Sequence, residues 1–185
     1  MTLTIFSAIV SLAAGLLAPP GPVEPLDRSR VATESHCVVT TVGQESDGEL
    51  ITTGVECFDT FADAMVFASN GSLLLPRDAS GSVLFTDPGV SAMASTFTLG
   101  VHFDGYSGTG SSTTVVGADC TGGYWNTPAW FDNKISSSYN GCARLKHFDY
   151  ANASGYLTAT TGAGTTDNLP YSANNKTESV SYHSS

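Results

Sequence analysis

The sequence predicts a mainly β protein: a two-sheet Greek-key sandwich over residues 97–185, preceded by a small α+β unit tied by a disulfide. Three observations predict this fold class. Charged residues make up only 13% of the chain, while Gly, Ser and Thr are abundant, as in all-β secreted proteins. Four cysteines form two close pairs. Short β-branched and aromatic runs fill the C-terminal half, where two motifs occur twice.

Residues 1–18 are apolar, rich in small residues and free of charged side chains, which favours a secretory signal peptide and a secreted, extracellular protein. The run is too short for a stable membrane span, so no span is expected after its removal. Cleavage after Ala18 and cleavage within residues 13–15 both stay open, and a buried core helix is the alternative. Residues 19–35 carry Pro-Pro, Gly-Pro and Glu-Pro pairs, which predict a linker.

The cysteine pattern agrees with export. The number of cysteines is even, and the sequence contains no CxxC spacing that would indicate a zinc or redox site. The short spacings favour two local disulfides, each worth about 3 kcal/mol in the chain-entropy description. We expect Cys37 with Cys57 and Cys120 with Cys142, whereas pairings that join the two halves remain the alternative.

The formal charge of −10, with only seven Lys and Arg residues, argues against two classes of partner. Nucleic acids and anionic membrane surfaces need several cations on one face, and the sequence contains no basic cluster. A divalent cation agrees better with this charge.

The segment over residues 36–75 is predicted to form a hairpin followed by a helix. β-Branched runs at 37–42 and 50–55 flank the turn signal Asp47-Gly48. Residues 59–68 carry an N-cap signal and apolar side chains at helical spacing, and Asn70-Gly71 marks the helix end. The Pro- and Gly-containing residues 76–96 are predicted to connect this unit to the next.

From residue 97 the strand pattern becomes clear, because Phe97, Leu99, Val101 and Phe103 alternate with small or polar residues and predict one inward apolar face. Further strands are predicted over residues 113–116, 135–139, 142–148, 156–160 and 178–182. His102 and His147 occupy matching places in this pattern. We expect both to face solvent, and a shared zinc ion is the alternative.

The repeated motifs indicate an internal duplication. His102-Phe103-Asp104 recurs at residues 147–149, and a glycine follows each Phe by seven residues, at Gly110 and Gly155. The block DNKISS at 132–137 recurs as NNKTES at 174–179. A repeat of about forty residues is too short for two domains, so the copies are expected to close over one core. The polar blocks are then candidate ion-binding loops.

At these motifs the segment from about residue 99 to residue 183 resembles a microbial βγ-crystallin domain, a pair of Greek-key motifs packed as a sandwich. Both copies match the family's aromatic, acidic and glycine positions, but Gly108 and Ala153 replace its second aromatic. The family's calcium signature is two Asn or Asp residues, two variable positions, Ser or Thr, then Ser. The first block satisfies it, and the second fails only at Glu178.

The resemblance implies two calcium sites that mix the motifs, and oxygen ligands of these types suit calcium. One site would combine Asp149, the carbonyl of Lys176 and Ser136. The other would combine Asp104, the carbonyl of Lys134 and Glu178. The candidate calcium-binding residues are Asp104, Asp132, Asn133, Lys134, Ser136, Asp149, Asn174, Asn175, Lys176 and Glu178. The alternative is that the blocks form ordinary turns, with Ser137 and Ser179 hydrogen-bonding the hairpins.

These features favour a non-catalytic, calcium-binding secreted protein in which calcium mainly stabilises the fold. We expect no enzyme, because the sequence contains no nucleophile elbow, no His-Glu helix motif and no paired carboxylates placed in a cleft. Small secreted actinobacterial metalloproteinase inhibitors resemble the same fold. A proteinase inhibitor acting through residues 120–142 or 162–171 is therefore an alternative, and a killer-toxin-like or cell-surface interaction protein is a third. Residues 57–64 resemble a segment that precedes such domains in secreted actinobacterial proteins.

Overall fold

The computed structural model describes residues 34–117 and 119–185, which belong to one compact unit. The predicted signal peptide and residues 19–33 of the predicted linker lie outside the described residues. The described part is mainly β, with two sheets, two disulfides and three short helices, which confirms the predicted fold class at this level. None of its helices is long and apolar enough to cross a membrane.

The strands and α-helices follow in chain order. The strands are β1 (His36–Gln44), β2 (Leu50–Thr52), β3 (Glu56–Phe58), β4 (Thr98–Phe103), β5 (Ser112–Val116), β6 (Thr121–Asn126), β7 (Ser137–Asn140), β8 (Arg144–Tyr150), β9 (Ser154–Thr161), β10 (Thr165–Asn168) and β11 (Ser179–His183). The helices are α1 (Phe61–Ala68), α2 (Val83–Thr86) and α3 (Pro88–Ala94). The predicted strands are present, whereas β3, β6, β10, α2 and α3 go beyond the sequence prediction.

The first sheet has the order β10-β7-β4-β5-β1, and the free side of β1 pairs with both β2 and β3. Strand β1 runs parallel to β5, with His36 opposite Ser112 and Thr40 opposite Val116. The predicted hairpin is therefore present, but residues 36–75 do not form a unit of their own. A short hairpin with one helix buries too little apolar surface to be stable alone, whereas β5 offers β1 a complete row of hydrogen-bonding partners.

The second sheet has the order β6-β11-β8-β9. The two halves of the duplicated region exchange one strand each. Strand β6 follows β4 and β5 in the chain but pairs with β11, and β10 follows β8 and β9 but pairs with β7. Neither half therefore completes a sheet without the other.

One apolar cluster contains side chains from both sheets, so the sheets share a core. From the first sheet come Val39, Leu99 and Val115, and from the second Trp125, Leu145, Val180 and Tyr182. Phe131, Ile135, Leu169 and Ala173, from the segments around the two polar blocks, complete it. The expectation that both motifs close over one core is thereby confirmed. Of the two tryptophans, Trp125 is buried in this core and Trp130 is 39% exposed.

The helices cover the opposite face of the first sheet. Val101 and Phe103 of β4 belong to a second apolar cluster with Phe61 and Met65 of α1 and Leu84 of α2. Strand β4 is consequently buried at every residue, on both faces. Both faces are covered by protein, one by the helices and the other by the second sheet. The prediction that Leu99 shares one face with Val101 and Phe103 is wrong, because Leu99 packs between the sheets next to a register shift of β4 against β5.

Helix boundaries follow from local side-chain chemistry. Thr60 caps α1: its hydroxyl accepts a hydrogen bond from the Asp63 amide at 3.1 Å and donates to the Asp63 carboxylate at 2.7 Å. The chain leaves this helix through Asn70 and Gly71, with φ of 50° and 79°. In the predicted connector, the Asp87 carboxylate caps α3 before Pro88.

Both disulfides pair as predicted. Cys37 and Cys57 lie opposite each other on β1 and β3, and Cys120 joins Cys142 between the starts of β6 and β8. No free cysteine remains in the described residues.

We predict that helix α1 and the sheets unfold as one cooperative unit. Met65 is fully buried between α1 and β4, so Met65→Ala should lower the free energy of unfolding by about 2–5 kcal/mol. Met93 on α3 is 43% exposed, and Met93→Ala is the matched control, with a loss below about 1 kcal/mol. Urea unfolding followed by tryptophan fluorescence and circular dichroism measures both. Two separate transitions in the wild type would contradict a single unit.

Candidate functional site

The two polar blocks form two loops of the same shape, here called loop 1 (residues 132–137) and loop 2 (residues 174–179). A proline turn precedes each, because the Pro128 carbonyl accepts from the Asp132 amide and the Pro170 carbonyl from the Asn174 amide, both at 2.9 Å. The second residue of each loop is left-handed, with φ of 56° at Asn133 and 55° at Asn175. Asparagine is among the few residues that adopt this conformation readily, which explains its place in both loops.

Loop 1 and loop 2 are joined to each other by reciprocal backbone hydrogen bonds. Each second-position amide donates to the fourth-position carbonyl of the other loop, and each fifth-position carbonyl accepts from the residue before the other loop's proline. The four bonds are Asn133 N to Thr177 O (3.1 Å), Asn175 N to Ile135 O (3.0 Å), Thr127 N to Glu178 O (2.9 Å) and Leu169 N to Ser136 O (2.8 Å). The two loops therefore form one paired structure.

The side chains cross between the loops in the same sense. The Ser136 hydroxyl donates to the Asn175 side-chain oxygen at 3.1 Å. In the other direction, the Asn133 side-chain amide lies 3.5 Å from a Glu178 carboxylate oxygen. The fifth position of each loop thus meets the second position of the other.

The last serine of each loop fastens the neighbouring hairpin. Each hydroxyl donates to one hairpin carbonyl and accepts from one hairpin amide, as the alternative interpretation expected. The bonds are Ser137 Oγ to Gly105 O (2.7 Å), Gly108 N to Ser137 Oγ (3.1 Å), Ser179 Oγ to Tyr150 O (2.6 Å) and Ala153 N to Ser179 Oγ (3.1 Å). This role explains the two final serines but not the polar residues before them.

The acidic residues of the two predicted sets lie differently from the expectation. The Ser136 amide donates to the Phe103 carbonyl at 2.8 Å, and the Glu178 amide to the Phe148 carbonyl at 2.9 Å. Ser136 therefore lies beside the strand end that carries Asp104, and Glu178 beside the one that carries Asp149. The predicted sets assign these two aspartates the other way round. In the structure, loop 1 continues into β7, which pairs with β4, and loop 2 continues into β11, which pairs with β8. The resemblance gave no information on this pairing.

Several oxygens at the loops have no hydrogen-bond donor within the described residues. The carbonyls of Lys134 and Lys176, the predicted third-position ligands, accept no hydrogen bond there. The side-chain oxygen of Asn174 is buried without a partner. The equivalent oxygen of Asp132 in loop 1 accepts a hydrogen bond from the Thr127 hydroxyl at 3.0 Å. Asn174 has no equivalent hydroxyl, because the apolar Leu169 occupies the position that corresponds to Thr127. Buried oxygens without donors can accept a cation.

In residues 34–117 and 119–185, no three carboxylate, thiolate or imidazole groups come together in a way that could hold a metal ion. The loops instead offer amide, hydroxyl and main-chain carbonyl oxygens, with Asp132 and Glu178 as their carboxylates. Such a donor set suits calcium, a hard cation that takes six to eight oxygens in flexible geometry.

The two matching histidines lie in the core, so the expectation that they face solvent is wrong. His102 and His147 are fully buried, with ring centroids 5.9 Å apart. His102 hydrogen-bonds Ser138 and Tyr182, each at 2.9 Å, and stacks on Trp125. The second sheet covers the face of β4 that carries His102, which a single-strand pattern cannot reveal. No third ligand for a shared zinc lies there within the described residues.

Burial keeps both imidazoles neutral. It lowers the pKa of His147 to about 3, and burial together with the nearby His147 lowers the pKa of His102 well below its usual value. Burial also raises the pKa of the Tyr182 phenol, which stays protonated. Each neutral ring has one donor and one acceptor nitrogen, so the Ser138 and Tyr182 hydroxyls satisfy both nitrogens of His102. The Nε2 atom of His147 has no partner within the described residues.

Comparison of this chain with known protein families, with curated proteins and with solved structures finds no match.

We predict that acid destabilises the protein through this histidine pair. Because the folded-state pKa values are lowered, the unfolded chain binds more protons, and the free energy of unfolding falls as the pH falls from about 6.5 toward about 3. The loss is on the order of 1 kcal/mol per pH unit for each histidine. Urea midpoints measured between pH 7 and pH 5 test this.

The variant His147→Gln carries an uncharged side chain at every pH and should show a shallower slope. The difference in slope between wild type and variant isolates this histidine from the carboxylates, which titrate in both. Equal slopes would contradict the proposed role of burial.

Proposed function

We propose that residues 97–185 form a βγ-crystallin-like pair of Greek-key motifs that binds calcium between loop 1 and loop 2, and that this is a non-catalytic, stabilising function of a secreted protein. The observation that carries the proposal is the reciprocal crossing of the loops, in which Ser136 meets Asn175 and Asn133 meets Glu178.

The strand order supports the Greek-key part of this proposal. In a Greek key the fourth strand returns to lie beside the first. Strand β7 lies beside β4, and β11 lies beside β8, so both halves follow this rule. In both halves the third strand belongs to the other sheet. The matching exchange agrees with two motifs related by duplication.

The chemistry of the loop oxygens supports the calcium part. One site would draw on the Ser136 hydroxyl with the Asn175 side chain and the Lys176 carbonyl of loop 2. The other would draw on the Glu178 carboxylate with the Asn133 side chain and the Lys134 carbonyl of loop 1. The Ser136–Asn175 and Asn133–Glu178 side-chain pairs already lie at the junction of the loops. A bound cation would neutralise part of the negative charge of the chain and replace the hydrogen bonds that now join Ser136 to Asn175 and Asn133 to Glu178.

The proposed calcium function is structural. A ligand that binds only the folded protein stabilises it by RT ln(1 + [L]/Kd), about 2.7 kcal/mol at one hundred times Kd. Because each site takes ligands from both loops, calcium would stabilise the docking of the two halves. The two disulfides are compatible with an oxidising extracellular location.

Calcium titration tests the proposal. Saturating calcium should raise the Tm of the wild type by roughly 5–10 °C above its value in chelator. Ser136→Ala removes one oxygen ligand and should lose the part of that rise that comes from the site which Ser136 serves. Calorimetry should find two sites in the wild type, and Glu178→Gln should weaken the second without abolishing the first.

Two exposed residues outside the loops provide matched controls. Ser72→Ala and Asp78→Asn remove the same chemical groups from the surface and should keep the full response to calcium. A wild-type Tm that is the same in chelator and in millimolar calcium would defeat the proposal and leave both loops as ordinary turns.

Proteinase inhibition is the second candidate function, and one exposed side chain favours it. Tyr171 is 94% exposed between the Pro170 turn and loop 2, and the turn is held by the bond from the Leu169 amide to Ser136. An inhibitor can insert an exposed side chain of this kind, held on a fixed turn, into the active site of a protease. The alternative segment 162–171 otherwise consists largely of the edge strand β10.

If the protein inhibits proteases, thermolysin-like or subtilisin-like enzymes should lose activity when it is added in equimolar amount. Tyr171→Ala should then weaken inhibition at least about tenfold, as expected for an aromatic hot spot. Tyr106→Ala, at another exposed turn, is the control. Unchanged protease activity at high protein concentration would exclude inhibition of these two classes.

A further inference from the structure

The outer face of the second sheet carries a groove unlike the rest of the surface. On β8, Arg144, Lys146 and Phe148 alternate with core residues and point to this face. Their partners on β9 are Thr161, Ala159 and Tyr156, respectively. These six residues line an open groove of about 670 Å³. The small side chains of Thr161 and Ala159 leave room beside the cations Arg144 and Lys146. Phe148 and Tyr156 lie at the other end of the groove.

The cations in this groove have no ionic partner. The chain has a formal charge of −10 and only seven Lys and Arg residues, yet two of these lie two residues apart on one strand. Within the described residues the salt-bridge distance of 4.0 Å is met only between His36 and Glu34, and not at Arg144 or Lys146. His183 lies opposite Arg144 on β11, and burial, together with the nearby Lys146 and Arg144, lowers its pKa. Positive charge is thus concentrated at one point of an acidic protein.

The aromatic end of the groove offers an apolar surface to solvent. Tyr156 is 62% exposed and meets Phe148 edge to face, with ring centroids 6.2 Å apart. Phe148 beneath it is almost fully buried and therefore fixes the Tyr156 ring from below. An exposed aromatic ring held by a second ring provides contact area at little cost in conformational entropy.

We propose that this groove binds an acidic glycan, with a sugar carboxylate at Arg144 and Lys146 and the apolar face of a sugar ring against Tyr156. The positive groove attracts the carboxylate, because the charges are complementary. A sugar chain carries both features that the groove would recognise, an anion and a ring with an apolar C–H face, within one or two residues of its length.

The chemistry of the groove argues against two other classes of acidic polymer. An extended peptide pairs its backbone with a sheet edge, here the free side of β9, whereas inside the groove β8 and β9 already hydrogen-bond to each other. A peptide backbone would find no such partners there. A nucleic acid brings closely spaced phosphates, and two cations on a chain of charge −10 cannot neutralise them.

The test uses oligogalacturonate as the probe, with its fully methyl-esterified form as the uncharged comparison. Titrations are done in chelator, because calcium cross-links uronates on its own. We expect the wild type to bind the acid form, with affinity falling as salt rises, and to bind the ester much more weakly. Arg144→Gln and Lys146→Gln should each weaken binding about two- to fivefold, the effect of one exposed ion pair. Tyr156→Ala should weaken it about fivefold.

Arg77→Gln is the matched control, because Arg77 is an exposed cation away from the groove and its loss changes the net charge by the same amount. It should leave binding unchanged. Equal losses in Arg77→Gln and Lys146→Gln would overturn the proposal, since net charge alone would then explain the binding. Equal binding of the acid and the ester, or stronger binding of hexaglutamate than of oligogalacturonate, would also overturn it. The calcium proposal is unaffected by any of these outcomes, because the groove shares no residue with either loop.

Discussion

The reciprocal hydrogen bonding of loop 1 and loop 2 is the constraint on which the rest of the structure depends. Each loop gives a backbone amide to the other and takes one in return, so neither loop has its partners when its half is alone. The strand after each loop, β7 or β11, pairs with the first strand of its own half. The exchange of β6 and β10 places one strand of each half in the other half's sheet. The two halves must therefore fold together.

This arrangement buries polar groups near the junction of the halves. His102 and His147 lie edge to face there, together with Trp125 and Tyr182. Both imidazole rings are neutral in the folded protein. Protonation at low pH would place a charge in the core, so acid destabilises the junction. The helices add a separate contribution on the other side of β4, where Phe61 and Met65 cover the first sheet. The N-terminal segment thereby becomes part of the same folded unit.

The loops and the groove are separate surfaces with different chemistry. Loop 1 and loop 2 present uncharged oxygens with two carboxylates, a donor set that suits a hard cation. The outer face of β8 presents two cations without ionic partners in the described residues. A calcium ion and an acidic glycan are chemically opposite ligands, and the proposals place them on different elements. Binding at one surface does not require occupation of the other.

The sequence by itself determined the local features. The β composition, both disulfides, α1, the duplicated motifs and the equivalence of loop 1 and loop 2 follow from residue types and spacing, because a turn, a cap or an alternating strand depends on neighbours in the chain. Only the tertiary structure decided which faces are covered and which strands pair. It placed β1 beside β5, buried His102 and His147, and set Asp104 beside Ser136 and Asp149 beside Glu178. Glycine-rich β6 and polar β10 carry weak strand signals, since partners distant in the chain, rather than their own residues, hold them in the sheets.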